Sequence, residues 1–384
     1  MVNVRAARVL CLLFVALLGH GLAQAEPRCA GDGGLYEWRT GEPVVGRIAL
    51  SALLAVRVLP YAGTGLSLRR GDPGDAGTSL SPSTARLALC GRLPLRRGEL
   101  RYHLAYEPHD VIEAAHADAA PFGRILAAEV GYPVVSWLAI YGGIRKVAFS
   151  FGHDEPEQVL ALPLRPYLAN SVAPDRRLGL TVDSNWGAAR VITGVYESAR
   201  TFAAYPNSGL LVTARGAMEP FGPVGRSIST LADDAYWRRR FRVAFNVSVL
   251  LDWSPRGEAP LGFALGGDIP FKYGPFGLVV EYIYARGVRF EDPTAPNEQR
   301  ADRQGLFAQA ALMLLRPYLE LTSRYEWFDL PTDSRQRFSA LTAGLTGYVV
   351  SDAVKVQVAY GHKFHYGSAA PRDDYLLLLI QIAE

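Results

Sequence analysis

The sequence predicts an all-β fold, a transmembrane antiparallel β-barrel of about sixteen strands with short periplasmic turns and long extracellular loops. Three observations predict it. Hydrophobic residues make up 49% of the chain, yet beyond residue 25 no apolar run approaches the roughly 20 residues of a spanning helix. Apolar residues recur instead at every second position, the period of a strand with one face in an apolar medium. The connections between these segments alternate, long then short, along the chain.

The first 25 residues set the compartment. Arg5 and Arg8 precede the apolar run Val9 to Leu18, and Ala23-Gln24-Ala25 supplies a small-residue cleavage site. Residues 1–25 are therefore expected to be a signal peptide, the run being short for a membrane anchor. Cys11 lies inside this signal, and neither it nor Cys29 sits in a lipid-attachment sequence. Residues 26–43 then form a short periplasmic segment and 44–384 the barrel, in the outer membrane of a Gram-negative bacterium. Removing Arg5 and Arg8 from the 40 basic residues leaves 38 against 37 acidic, a net charge of +1. Such a balance gives no reason to expect a nucleic-acid partner. Cys29 and Cys90 remain after cleavage; an exported pair permits one disulfide, with two separate thiols as the alternative. Neither has a His or Asp at metal-ligand spacing, so no metal or cofactor is expected.

The strands follow in order. Residues 46–59 open the series, apolar from Ile48 to Val56. The Gly- and Pro-containing stretch 60–82 reads as a loop before a strand at 83–93. Pro94 to Gly98 turns the chain into 98–107, where Leu100, Tyr102, Leu104 and Tyr106 enclose Arg101 and His103. A polar loop, 108–122, leads to 123–131, and Tyr132 to Ser136 turns it into 136–148. The long stretch 149–174 precedes 175–184, and Asn185-Trp186-Gly187 turns into 188–197. After loop 198–208 comes 209–217, then a link of intermediate length, 218–237. The best-patterned strand is 238–253. Phe241, Val243, Phe245, Val247, Val249, Leu251 and Trp253 share one face; Arg242, Ala244, Asn246, Ser248, Leu250 and Asp252 share the other. Thirteen residues from Phe241 extend about 43 Å and, tilted by about 45°, rise about 30 Å, enough to cross a bilayer. The remaining strands are 260–270, 276–285, 304–315, 318–327, 337–348, 354–363 and 374–383. Trp137, Trp186, Trp237, Trp253 and Trp327 fall at strand ends or turns, where headgroup-level aromatics belong. A soluble sandwich or propeller also alternates, but does not call for these placements.

Hydrophilic faces turned inward put charge in the barrel. The basic candidates are Arg86, Arg92, Arg101, Arg190, Arg215, Arg242, Arg324, Lys355 and Lys363, interleaved with Asp183, Asp252, Glu281, Glu320 and Glu326. Arginines lining a pore attract anions. Interleaved carboxylates also allow a charge-balanced wall that only keeps the lumen hydrated.

Residues 123–197 resemble the phosphate-selective porin O and P family. Arg124-Ile-Leu-Ala-Ala-Glu-Val-Gly-Tyr132, followed by Trp137-Leu-Ala-Ile-Tyr-Gly-Gly-Ile-Arg-Lys-Val-Ala-Phe-Ser150, is similar to that family's strand, turn, strand and "KVPFS"-like segment. Asp175-Arg-Arg-Leu-Gly-Leu-Thr-Val182 is similar to its arginine-and-glycine strand, and 276–284 and 341–360 to later hairpins. Ala148 stands where the family often has proline, and 149–174 lacks the lysine cluster behind phosphate capture. The chain ends Ile382-Ala383-Glu384, not in an aromatic residue. The resemblance implies a homotrimeric outer-membrane diffusion channel for small hydrophilic solutes, leaning to anions. If 149–174 folds inward, as the long loop of porins often does, Phe149, Phe151, His153 and Asp154 stand at a constriction; a surface loop on the rim is the alternative. The inward strand faces and the flanks of this loop give Lys146, Arg165, Arg176, Arg177, Arg190, Arg242, Arg324 and Lys355 as pore-lining candidates. A non-conducting barrel serving assembly or adhesion is the competing reading. Enzymatic activity is not expected: barrel phospholipases carry His and Ser two apart on one strand face, and no such pair is present.

Overall fold

The computed structural model describes residues 62–70, 77–84, 87–95, 98–107, 124–155, 160–174, 176–198, 209–225, 227–229, 240–253, 261–289, 300–329, 337–350, 354–366 and 373–382. The signal peptide, the segment 26–43, the expected strand 46–59, Cys29 and Trp237 lie outside them. Among the described residues eighteen strand segments form one sheet. They are β1 (Ala62–Arg70), β2 (Gly77–Thr84), β3 (Leu87–Leu95), β4 (Gly98–Glu107), β5 (Arg124–Val135), β6 (Leu138–Lys146), β7 (Arg176–Trp186), β8 (Ala189–Glu197), β9 (Leu210–Met218), β10 (Phe241–Val243), β11 (Phe245–Trp253), β12 (Leu261–Tyr273), β13 (Phe276–Arg289), β14 (Arg300–Leu315), β15 (Leu319–Asp329), β16 (Phe338–Val350), β17 (Val354–His365) and β18 (Asp373–Ile382).

Every registered pair is antiparallel, and the ladder runs unbroken from β3 to β18. The last strand is not an edge, because β18 also pairs with β1, which pairs with β2. Pairing of the last strand with the first described one is the strand arrangement of a barrel; no β2–β3 pair is registered among the described residues.

Fifteen of the expected strands therefore correspond to β3–β18, with β10 and β11 counted together as one line broken at Ala244. The ladder bridges the break, since the Ala244 amide donates to the Pro270 carbonyl at 3.0 Å. One expectation is corrected. Residues 60–82 are not a long loop; they contain most of the hairpin β1–β2, in which Thr64, Leu66 and Leu68 pair in register with Pro82, Leu80 and Thr78.

Alternation assigns the faces. Along β11, Phe245, Val247, Val249, Leu251 and Trp253 are exposed, while Asn246, Ser248, Leu250 and Asp252 are buried. Val243, expected to face lipid, is buried beside the break at Ala244. The outer surface is aromatic at the short-turn end. Trp137 and Trp186 stack with ring centroids 5.8 Å apart, and Phe221, Phe241, Phe271 and Phe276 form a chain of ring contacts. Such a belt sits at headgroup level. Among the described residues no helix is long and apolar enough to cross a membrane.

Candidate functional site: a charged cavity beside an inward loop

The segment between β6 and β7 turns into the barrel. Its apolar residues Val147, Phe149, Phe151, Ala161, Leu168, Val172 and Ala173 join one buried cluster with Leu250, Ala264, Val279, Ile283, Phe307, Phe328 and Phe338 of the wall. A loop lying on the rim could not reach these inward strand positions. Burying each large side chain stabilises the inward position by roughly 1.5–3 kcal/mol. Two short helices shape the loop. In α1 (Phe151–Asp154) the Ser150 hydroxyl caps the first turn by accepting from the His153 amide at 3.1 Å. In α2 (Tyr167–Val172), Tyr167 meets Phe328 and Phe338 edge-on, at 5.0 and 4.9 Å.

Loop backbone buried inside a barrel needs partners, and the charged wall supplies them. Arg215 donates to the Phe149 carbonyl at 2.9 Å while pairing with Asp268 at 2.8 Å. Glu281 accepts from the Gly152 amide at 2.9 Å, and Glu326 from the Tyr167 amide at 2.5 Å. Arg324 reaches the Leu164 and Arg165 carbonyls, at 2.7 and 3.3 Å. Lys355 and Gln357 both donate to the Leu160 carbonyl, at 2.7 and 2.9 Å, and Thr346 to that of Ala161 at 3.0 Å. Arg165 closes the loop on itself, donating to the Gly152 and His153 carbonyls at 3.0 and 2.8 Å.

Beside the inward loop lies an open cavity of about 180 Å³. Five basic side chains line it, Arg145, Lys146, Arg176, Arg190 and Arg215, against four acidic ones, Glu129, Asp154, Glu155 and Glu219. Four of the five bases come from β6 to β8, whereas Asp154 and Glu155 come from the inward loop. Arg190 is held by two bonds to Asp183, at 2.9 and 2.5 Å. Glu129 lies between His103 and Arg145, 3.4 Å from each, and the Arg145 guanidinium sits 4.4 Å over the Tyr141 ring.

The expected site residues thus divide. Lys146, Arg176, Arg190 and Asp154 line the cavity, as does Phe151. Arg324 and Lys355 are buried and bind loop carbonyls. Arg165 ties the loop to itself, and Arg177 is buried, donating to the Arg176 carbonyl. Arg242 lies at the short-turn end, donating to the Pro223 carbonyl at 3.2 Å. Phe149 and His153 are buried within the loop packing. A buried cation such as Arg324 or Lys355 is stabilised there by the loop carbonyls it binds. Arg86 is outside the described residues.

Sequence reasoning missed Glu129, Arg145 and Glu219. The first was available: Ala127, Glu129 and Gly131 alternate with Ala128, Val130 and Tyr132, placing Glu129 beside His103 across the ladder.

No family model matches the sequence, and no curated protein matches it. Solved structures do. The outer-membrane channel DcaP of Acinetobacter baumannii is 13% identical with a TM-score of 0.59, covering 86% of this chain and 97% of its own. An anion-selective porin from Comamonas acidovorans is 14% identical with a TM-score of 0.59, covering 86% and 99%. In-vitro folded OmpT of Vibrio cholerae, in a trimer form, is 10% identical with a TM-score of 0.51, covering 85% and 99%. At these identities the likeness is one of fold: this chain has the outer-membrane porin β-barrel fold.

Proposed function

We propose that the protein is an outer-membrane porin, a passive diffusion channel for small hydrophilic solutes that leans to anions. The observation that carries this is the charged cavity left beside a loop packed inside the barrel. A barrel that only anchors or assembles needs no such hydrophilic passage. The anion lean rests on the bank of Arg145, Lys146, Arg176 and Arg190 along β6 to β8, which offers fixed charge and planar donors to a passing oxyanion. Asp154 and Glu155 face the same cavity, so the lean is modest. Fixed wall charges beside an open passage suit permeation, and we read the protein as a non-enzyme. The trimer form of a porin with this fold supports a homotrimer. Of the alternatives, the phosphate-selective family accounts for the inward loop, but 149–174 lacks its lysines.

Proteoliposome swelling tests the reading. Vesicles carrying the protein should swell in small neutral and anionic solutes at rates falling with solute size. Vesicles that swell no faster than protein-free controls would leave the non-conducting barrel as the answer.

A further inference from the structure

A second segment also leaves the wall for the interior. Residues 219–225 and 227–229 lie between β9 and β10, at the short-turn end, and Val224, Ile228 and Ser229 are buried. Its base is pinned: the Val224 amide donates to Glu219 at 3.1 Å, and Arg242 to the Pro223 carbonyl at 3.2 Å. Its far end lies on the wall, where the Ser229 hydroxyl donates to Glu320 at 2.8 Å and sits 3.3 Å from the Tyr348 hydroxyl. Gly277 of β13 makes room for it. A Cβ at that position would stand 2.1 Å from the Ile228 carbonyl oxygen, closer than any real contact.

The two inward segments meet at Glu155. This residue closes α1 and is 3% exposed. Its carboxyl accepts from the Ser227 hydroxyl and from the Ile228 backbone amide, with Arg165 of its own loop and Lys355 of β17 as opposing charges acting on it. His153 and Asp154 flank it in α1, Glu320 lies beneath Ser229, and Lys272 beneath Gly225. Among the described residues its Oε1 is sealed from solvent with no hydrogen-bond partner. Glu155, Glu219 and Gly225 all line the channel, so the junction forms part of the channel's own wall.

We propose that Glu155 is a positioning residue that clasps the two inward segments together and so sets the width of the channel. The inference rests on the channel reading. It makes the clasp sensitive to the proton on Glu155, because an anionic oxygen without solvent or partner is costly where a neutral one is tolerated. Burial pushes this carboxyl above its ordinary value of 4.5, with Arg165 and Lys355 pulling the other way. A raised acid holds its proton in the clasped state. The clasp is therefore complete below the ordinary value and weakens as pH rises through the raised one.

The test uses the full mature protein in lipid, with two readouts. Single-channel conductance should rise with pH in the wild type, stay at its acid level at every pH in Glu155→Gln, and sit at the high-pH level throughout in Gly277→Ala. Amide exchange at Ser227, Ile228 and Ser229, corrected for intrinsic pH dependence, should accelerate severalfold with pH in the wild type and not in Glu155→Gln. Identical pH responses of the wild type and Glu155→Gln, in both readouts, overturn the clasp. Wild-type protein that carries no current yet shows the exchange pattern would keep the clasp and refute the channel.

Discussion

Arginine in place of Val247 tests which face of the wall meets lipid. Val247 is 64% exposed on the outer face and is the middle residue of the line Phe241–Trp253, so its side chain lies near the bilayer midplane. An arginine on a lipid face at that depth costs roughly 2–4 kcal/mol, which is a roughly 30- to 900-fold loss in the folding equilibrium. Trp253→Arg, at the end of the same face, should cost only about 0–1 kcal/mol. The paired control is Ile192→Arg, whose side chain lines the channel and should stay hydrated. Ser248 is the adjacent inward position but cannot serve as that control. It is fully buried, accepts from Arg215 at 2.9 Å and packs under the inward loop, so it does not face water as its place in the alternation suggests. The assay is urea unfolding in lipid vesicles, followed by tryptophan fluorescence and by heat-modifiable gel mobility. The expected order of midpoints is wild type, Ile192→Arg and Trp253→Arg close together, with Val247→Arg well below. Equal midpoints for Val247→Arg and Ile192→Arg would refute the assignment of faces.

Three further outcomes follow from the interior. Arg324→Leu removes the donor to two loop carbonyls and leaves Glu326, its partner at 2.8 Å, without its cation; breaking a buried pair costs roughly 3–5 kcal/mol, and single-channel recordings should become larger and noisier, whereas an unaltered trace would contradict the loop attachment. Arg176→Glu should move the reversal potential towards cations, while Arg337→Glu, at an exposed position beside Asp329, should leave it in place; equal shifts would contradict the location of the channel. Phe149→Ala, at a residue with no exposed surface in the main cluster, should cost roughly 3–5 kcal/mol of stability, seen as a lower urea midpoint.

Period-two patterning made the strands legible because lipid on one side imposes it at nearly every position. β11 is the clearest case, with every outward residue exposed and every inward one buried. The hairpin β1–β2 was not legible: Ser67, Ser79 and Ser81 with Gly63, Gly65 and Gly77 weaken the contrast between faces, and Gly and Pro favoured a loop reading. The division of the interior was half-written. Leu250 interrupts an otherwise polar inward face, and Val279, Ile283, Phe307 and Phe328 do the same on neighbouring strands. Apolar residues pointing into a supposedly hydrated lumen signal something packed over them, here Phe149, Leu168 and Val172. Which inward arginines reach the channel was not written at all. Arg176 opens β7 and Arg324 sits mid-strand in β15, and nothing in either stretch tells which of them the loop covers. The contact of Glu155 with Ser227 spans distant parts of the chain and leaves no local pattern.

The most direct measurement of the central claim is current through the purified mature protein in a planar bilayer, under a gradient of potassium chloride. The account predicts discrete, stable conductance steps and a reversal potential displaced modestly towards the chloride equilibrium. Absence of steps, from protein shown by gel mobility to be folded and inserted, would contradict the channel; steps with a reversal potential displaced towards potassium would contradict the anion lean.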